Sequence, residues 1–159
     1  MHDNLVSIVI LNYNGKKFLN DCIDSIKLYT EGDYEIIVID NASPDNSGRE
    51  SAVKYSEHKF ILNERNFGVP EGFNIGINNS SGKFIILMNN DVKVTKGWLQ
   101  SFFEAYKKYG TALYQPKFLK MINPEILDGT GDMINIFGFG FARDKGQKDC
   151  KQHNEIEEI

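Results

Sequence analysis

The run Glu35-Ile36-Ile37-Val38-Ile39-Asp40-Asn41-Ala42-Ser43 decides the fold. Four consecutive β-branched residues make a strand, and their continuity, with no polar residue alternating, means that both faces are covered, as in a parallel sheet. The run ends abruptly in turn-forming residues. The same grammar recurs on either side. Val6–Leu11 runs into Asn12-Tyr13-Asn14-Gly15, Lys59–Leu62 into Asn63-Glu64-Arg65-Asn66, and Lys83–Met88 into Asn89-Asn90-Asp91. Ala112–Tyr114 reads as a fifth, short strand.

Helical periodicity fills the gaps. Phe18, Cys22 and Ile26, with Leu19 and Ile23 beside them, form one apolar stripe, and Asn14 is placed to cap it. Val69, Phe73 and Ile77 form a second stripe. Gly72 and Gly76 lie four apart there and would let that helix approach a sheet or a ligand closely. Thr95 is placed to cap a helix carrying Trp98, Leu99, Phe102, Phe103 and Tyr106, which Gly110 ends. Asp45–Tyr55 is the weakest helical pattern. Strand and helix alternating in this way predict an α/β fold with a mainly parallel, Rossmann-like sheet and helices on both faces. The expected α/β core spans 1–120. From 121 to 159 the pattern dissolves into Gly-, Asn- and Phe-rich loops with one short hairpin, then a polar tail from Arg143.

Composition bounds the function. The 159 residues carry a net charge of −4 and only three arginines, Arg49, Arg65 and Arg143, so no basic face for nucleic acid is expected. An acidic chain that takes an anionic ligand neutralises it with a metal or with helix N-termini. No apolar run reaches the roughly 18 residues of a membrane span, and no signal peptide is visible. The two cysteines, Cys22 and Cys150, read as reduced thiols. No GxGxxG follows an early strand (Gly138 and Gly140 come too late), and neither a phosphate-binding GxxxxGK[ST] loop nor a GxSxG elbow occurs. His2, His58 and His153 lack metal-ligand spacing.

All four polar clusters fall at the carboxyl ends of strands, the edge where open α/β sheets bind ligands. Taken singly, each cluster reads equally as a set of turn formers. Asp40 could accept a hydrogen bond from a base N–H or a ribose hydroxyl, or cap the next helix. Tyr13 could stack on a nucleobase or pack against the sheet edge. Asn89-Asn90-Asp91 could be an Asn-rich turn, or could hold Mg²⁺ or Mn²⁺ jointly with diphosphate oxygens and water.

Four motifs in order, VSIVILNYNG (6–15), EIIVIDNASPDNS (35–47), NERNFGVPEGFNIGI (63–77) and GKFIILMNNDV (82–92), resemble the family 2 glycosyltransferases of the GT-A fold, within a rhamnosyltransferase-like subgroup. The resemblance covers residues 5–120, and more weakly extends to about 148. It implies a UDP- or dTDP-sugar donor, a divalent metal cofactor (Mg²⁺ or Mn²⁺), a saccharide or lipid-linked acceptor, transfer with inversion, and a role in polysaccharide or cell-surface glycan synthesis. By position it assigns Asn12, Tyr13 and Asn14 to the border of the nucleobase and Asp40, Asn41 and Ser43 to base and ribose. Arg65, Asn66, Gly68, Gly72 and Asn74 fall in the segment that wraps the nucleotide. Asn89 and Asn90 take the place of the D-x-D-like motif, with Asp91 as the metal ligand. Pro70 and Glu71 depart from the small residues usual in the family.

A greater departure is expected at the acceptor half with its acidic general base, for which the 159 residues show no matching motif; Glu155, Glu157 and Glu158 read as a solvated tail. The resemblance therefore leaves three readings: a cytoplasmic transferase, peripheral at the inner membrane face, completed by a longer chain, a homo-oligomer or a partner; a nucleotide-sugar-binding module that transfers nothing; or a pseudo-enzyme assembling through apolar surface around Phe137, Phe139 and Phe141.

Overall fold

The computed structural model describes residues 4–157. Met1–Asp3, with His2, and Glu158–Ile159 lie outside the described residues. The chain divides into two compact units, one ending at Trp98 and one beginning at Leu99.

The first unit alternates β1 (Val6–Asn12), α1 (Leu19–Tyr29), β2 (Tyr34–Asp40), α2 (Ser47–Lys54), β3 (Lys59–Leu62), α3 (Gly68–Asn78) and β4 (Phe84–Asn89). The four strands pair in the order β3-β2-β1-β4, all parallel. The continuous apolar runs are explained by burial: every residue of β1 and the last five of β2 are inaccessible or nearly so.

The two faces are covered by different helices. Val9, Leu11, Ile37 and Ile39 point to one side, where Phe73 and Ile75 of α3 pack on them. Gly72 and Gly76 bring α3 close to the strands, since a Cβ at Gly76 would sit 2.2 Å from Val9 Cγ1 and one at Gly72 would sit 2.4 Å from Leu11 Cδ1. The glycine pair therefore serves helix–sheet contact. Ile8, Ile10 and Val38 point the other way, towards α1, whose Cys22 Sγ lies 3.7 Å from the Met88 sulfur. α3 lies over β1 and β2, so on its side of the sheet Ile85 and Leu87 of β4 stay 41% and 47% exposed.

Two local expectations are corrected. Asn14 does not cap α1: its φ of 56° places it in a left-handed turn, and the helix begins at Leu19 after the amides of Phe18 and Leu19 have donated to the Gly15 carbonyl. The weakly patterned α2 does form, because it buries Ser47, Gly48 and Ser51, small residues that make no apolar stripe.

The second unit holds α4 (Trp98–Tyr109) from its second residue on, and two antiparallel ribbons, β5 (Phe118–Leu119) with β6 (Leu127–Gly129) and β7 (Asp132–Ile134) with β8 (Gly140–Ala142). Gly110, at φ +76°, ends α4 as expected. Ala112–Tyr114 is not a strand; the Tyr114 hydroxyl instead donates to the Gly110 carbonyl, 2.6 Å away, folding the segment back on the helix end. Nor is the tail free. Gln147 accepts from the Leu127 amide, Lys117 pairs with Asp149, and Arg143 donates to Glu157 and to the Thr130 carbonyl. Ile136, Phe137 and Phe139 at the β7–β8 turn are largely exposed. No helix among the described residues is long and apolar enough to cross a membrane.

Candidate donor-binding site

Because β1 to β4 are parallel, their carboxyl ends and the polar clusters that follow share one edge. The ladder continues past the strands, with Asn41 N donating to the Asn12 carbonyl and Asn63 N to that of Asp40, both at 2.9 Å. An open cleft lies along this edge, within the first unit. Leu11, Gly68 and Val69 supply its apolar and backbone surface, and Tyr13, Asn41, Asn66, Asn89, Asn90 and Asp91 its polar groups.

Each wall has a local cause. Tyr13 follows the buried β1 directly and stands 48% exposed, since the strand has ended and the described residues cover only part of it. Asn41 is buried but faces the cleft with a fixed amide: its Nδ2 donates to the Gly68 carbonyl at 3.0 Å, and its Oδ1 accepts from Asn63 Nδ2 at 2.8 Å. Ala42 adopts φ 58°, a conformation costly for a residue with a Cβ, and the Ser43 amide secures that turn by donating to Asp40 Oδ2. Gly68, at φ +82°, receives the chain into α3 and donates its amide to Asn66 Oδ1. The Arg65 guanidinium lies 4.8 Å over the Phe67 ring, at the approach to the cleft.

The site residues named from sequence thus separate into layers. Tyr13, Asn41, Asn66, Gly68, Asn89, Asn90 and Asp91 line the cleft. Asn12 and Asp40 lie beneath it, 0% and 4% exposed, bonded to each other and to serines. Ser43 and Asn14 meet at its rim through a 3.2 Å hydrogen bond. Gly72 is buried against Leu11, while Arg65 and Asn74 are exposed outside the lining. Four participants received no site role from the sequence, Gly15, Ser47, Gly48 and Asn63, although Gly15 and Asn63 stood in the polar clusters that end the first and third strands. Gly15 ends the first motif and Ser47 the second, but nothing in one dimension shows that they meet.

The lining offers hard oxygen donors suited to a divalent cation. Asp91 contributes an exposed carboxylate and Asn89 an amide oxygen. Asn90 donates its Nδ2 to Asn12, and its amide oxygen takes part in none of the hydrogen bonds found among the described residues. No group of three or more His, Cys, Asp or Glu placed to hold a metal exists among the described residues, so a cation there would need ligands from the diphosphate and water.

Comparison with known proteins agrees with this architecture. Residues 7–152 match the family model described as glycosyl transferase family 2. Glycosyltransferase GlyA of Streptococcus pneumoniae is 27% identical over 110 residues, covering 67% of this chain and 16% of GlyA. EpsJ of Bacillus subtilis, an uncharacterized glycosyltransferase, is 32% identical over 102 residues, 63% of this chain and 30% of that protein. The chain thus spans well under half the length of these relatives. Among solved structures, Staphylococcus aureus TarS 1–349 in complex with UDP superposes with a TM-score of 0.59 at 19% identity, over 72% of this chain and 39% of TarS. The mannosyltransferase PcManGT of Pyrobaculum calidifontis, in complex with GDP-Man and Mn²⁺, gives 0.52 at 19% identity, over 59% and 30%. With a matching family model over most of its length and a parallel GT-A sheet carrying its polar cleft at the carboxyl edge, this chain belongs to glycosyl transferase family 2.

Proposed function

We propose that this chain binds the nucleotide-sugar donor of a glycosyltransferase that transfers the sugar, with inversion, to a saccharide or lipid-linked acceptor. The observation carrying the proposal is the cleft itself, whose aromatic and amide end (Tyr13, Asn41) lies along one edge with its carboxylate end (Asn89 to Asp91). Tyr13 offers a ring face to a base, and the Asn41 amide both donates and accepts. Asp91, with the Asn89 and Asn90 oxygens, would hold Mg²⁺ or Mn²⁺, which would supply positive charge to stabilise the departing diphosphate. TarS was solved with UDP and with UDP-GlcNAc, and PcManGT with GDP-Man, which supports a nucleoside diphosphate as the ligand class. Polysaccharide synthesis at the inner membrane face belongs to the same reading.

Titration calorimetry with UDP, dTDP and GDP, with and without Mn²⁺, tests it. Metal-dependent binding of at least one is expected. Asp91→Ala should weaken that binding at least tenfold, roughly 1.4 kcal/mol. Undiminished metal-dependent binding by the variant would overturn the role of Asp91.

One observation favours a second reading, that of a binding module. Besides the Tyr13 phenol, Asp91 is the only ionisable group in the cleft lining among the described residues, so a side chain assigned to the metal leaves no carboxylate there to deprotonate an acceptor. On that reading the chain retains donor affinity and releases sugar only by slow hydrolysis. Efficient transfer to a saccharide by the chain alone would reject it.

A further inference from the structure

Beneath the cleft runs a line of polar side chains that need touch no ligand. Asn12, Asp40 and Ser47 are 0%, 4% and 3% exposed, and buried groups of this kind must find partners inside the protein. Asn12 supplies them in both directions. Its Oδ1 accepts from Asn90 Nδ2 at 2.7 Å, and its Nδ2 donates to Asp40 Oδ1 at 2.7 Å, with Ser47 Oγ at 2.9 Å and Ser43 Oγ at 3.1 Å as further acceptors. Asp40 in turn accepts from the Ser43 hydroxyl and the Ser43 amide. One amide therefore bridges the turn after β4 and the turn after β2, the two ends of the cleft.

An amide meets both demands. The Asn90 side must be accepted from, and the Asp40 side must be donated to. An aspartate at position 12 would set a carboxylate against Asp40, and a leucine of similar size would orphan both partners. Two glycines keep the bridge clear. A Cβ at Gly15 would lie 2.0 Å from Asn12 Oδ1, and one at Gly48 would lie 2.3 Å from Asp40 Cγ. Neither glycine has a positive φ, so room for this bridge is what demands them.

We propose that Asn12 is a positioning residue, a buried tie that holds the Asn89–Asp91 turn and the Asp40–Ser43 turn at a fixed separation so that one donor molecule meets both. The ligand side of this statement rests on the donor-binding reading above; the tie itself does not.

Two measurements on the whole chain test it. Without ligand, Asn12→Leu should speed amide hydrogen exchange at residues 41–43 and 89–91 together, at least tenfold, while strand amides at 8–10 and 36–38 keep their wild-type rates. Acceleration of only one turn, of neither, or of all four segments equally overturns the tie, the last because it reports a merely structural loss. With UDP and Mn²⁺, Asn12→Asp and Asp40→Asn should each lose at least tenfold in affinity. In the double variant Asn12→Asp/Asp40→Asn the two groups exchange places, so the carboxylate now at position 12 accepts from the amide at position 40 and from Asn90. That variant should return to within about threefold of wild type, the non-additivity that directly coupled residues show. Single variants that bind normally, or a double variant as weak as the two losses combined, overturn it. If the wild-type chain binds no nucleoside diphosphate, the donor reading fails and the exchange experiment still decides the tie.

Discussion

At the scale of single residues, burial decides which chemistry is available. Cys22 is fully buried against Met88, and burial, reinforced by the nearby Asp91 charge and only partly offset by a hydrogen bond to the Val92 backbone, pushes its thiol up to about 12. The thiolate is the reactive form, so Cys22 is inert in the folded protein while Cys150 is exposed. An aromatic disulfide reagent at pH 8 should titrate one thiol per native chain and two in denaturant. Two fast-reacting thiols in the native protein would contradict the burial of α1 on the sheet. Sequence spacing alone placed Cys22 in an apolar stripe, which is legible one residue at a time. That Asn12 faces inward while its neighbour Tyr13 faces out was not legible, because Asn12 is the polar last residue of β1 and Tyr13 the first beyond it, and either could have turned towards solvent.

At the scale of elements, α2 shows how a helix without an apolar stripe is held. Its residue before the first turn, Asn46, is left-handed at φ 59° and makes no capping hydrogen bond with its side chain. Asp45 serves instead, accepting the Ser47 amide at 3.0 Å and the Lys16 amide at 2.9 Å, which joins the start of α2 to the turn after β1. Partial burial works to raise the Asp45 carboxyl, but these hydrogen bonds, with those from the Ser47 side chain and the Lys16 charge, outweigh it and hold the group below the usual carboxylate range. The sign follows directly: a depressed folded value contributes stability above the unfolded carboxyl's ordinary value near 4, and that stability disappears as pH falls through the folded value. Asp45→Asn should therefore lower stability near neutral pH and flatten the dependence on pH below about 4. Denaturant unfolding from pH 7 to pH 2.5 measures both, and an unchanged acid limb would remove Asp45 from this role. The sequence marked this segment only weakly because its buried face is serine and glycine, residues that make room for Asp40 and add no apolar area.

At the scale of the whole molecule, every residue lining the cleft belongs to the first unit. Exchange protection on binding UDP and Mn²⁺ should accordingly appear around 11–15, 41–48, 66–72 and 89–91, and leave 99–157 unchanged. Protection reaching 128–144 would show that the second unit takes part in donor binding. Family membership describes the fold over residues 7–152, while the share of the relatives' length that this chain covers keeps acceptor choice and transfer as matters for experiment.

What the sequence by itself determined is the order of strands and helices from β1 to α4, the parallel sheet, the edge that gathers the polar clusters and, through resemblance, the family. The first three follow from local signals, since unbroken β-branched runs mark doubly covered strands and turn formers mark where each run ends, while the family came from the resemblance of four motifs in order. Tertiary structure alone decided which of those polar residues line the cleft and which brace it. Asn12, Asp40, Ser47 and Asn90 are separated by up to 78 positions along the chain yet form one hydrogen-bonded line. No local pattern encodes that, because a side chain's partner across parallel strands is set by register, and register exists only once the sheet has formed.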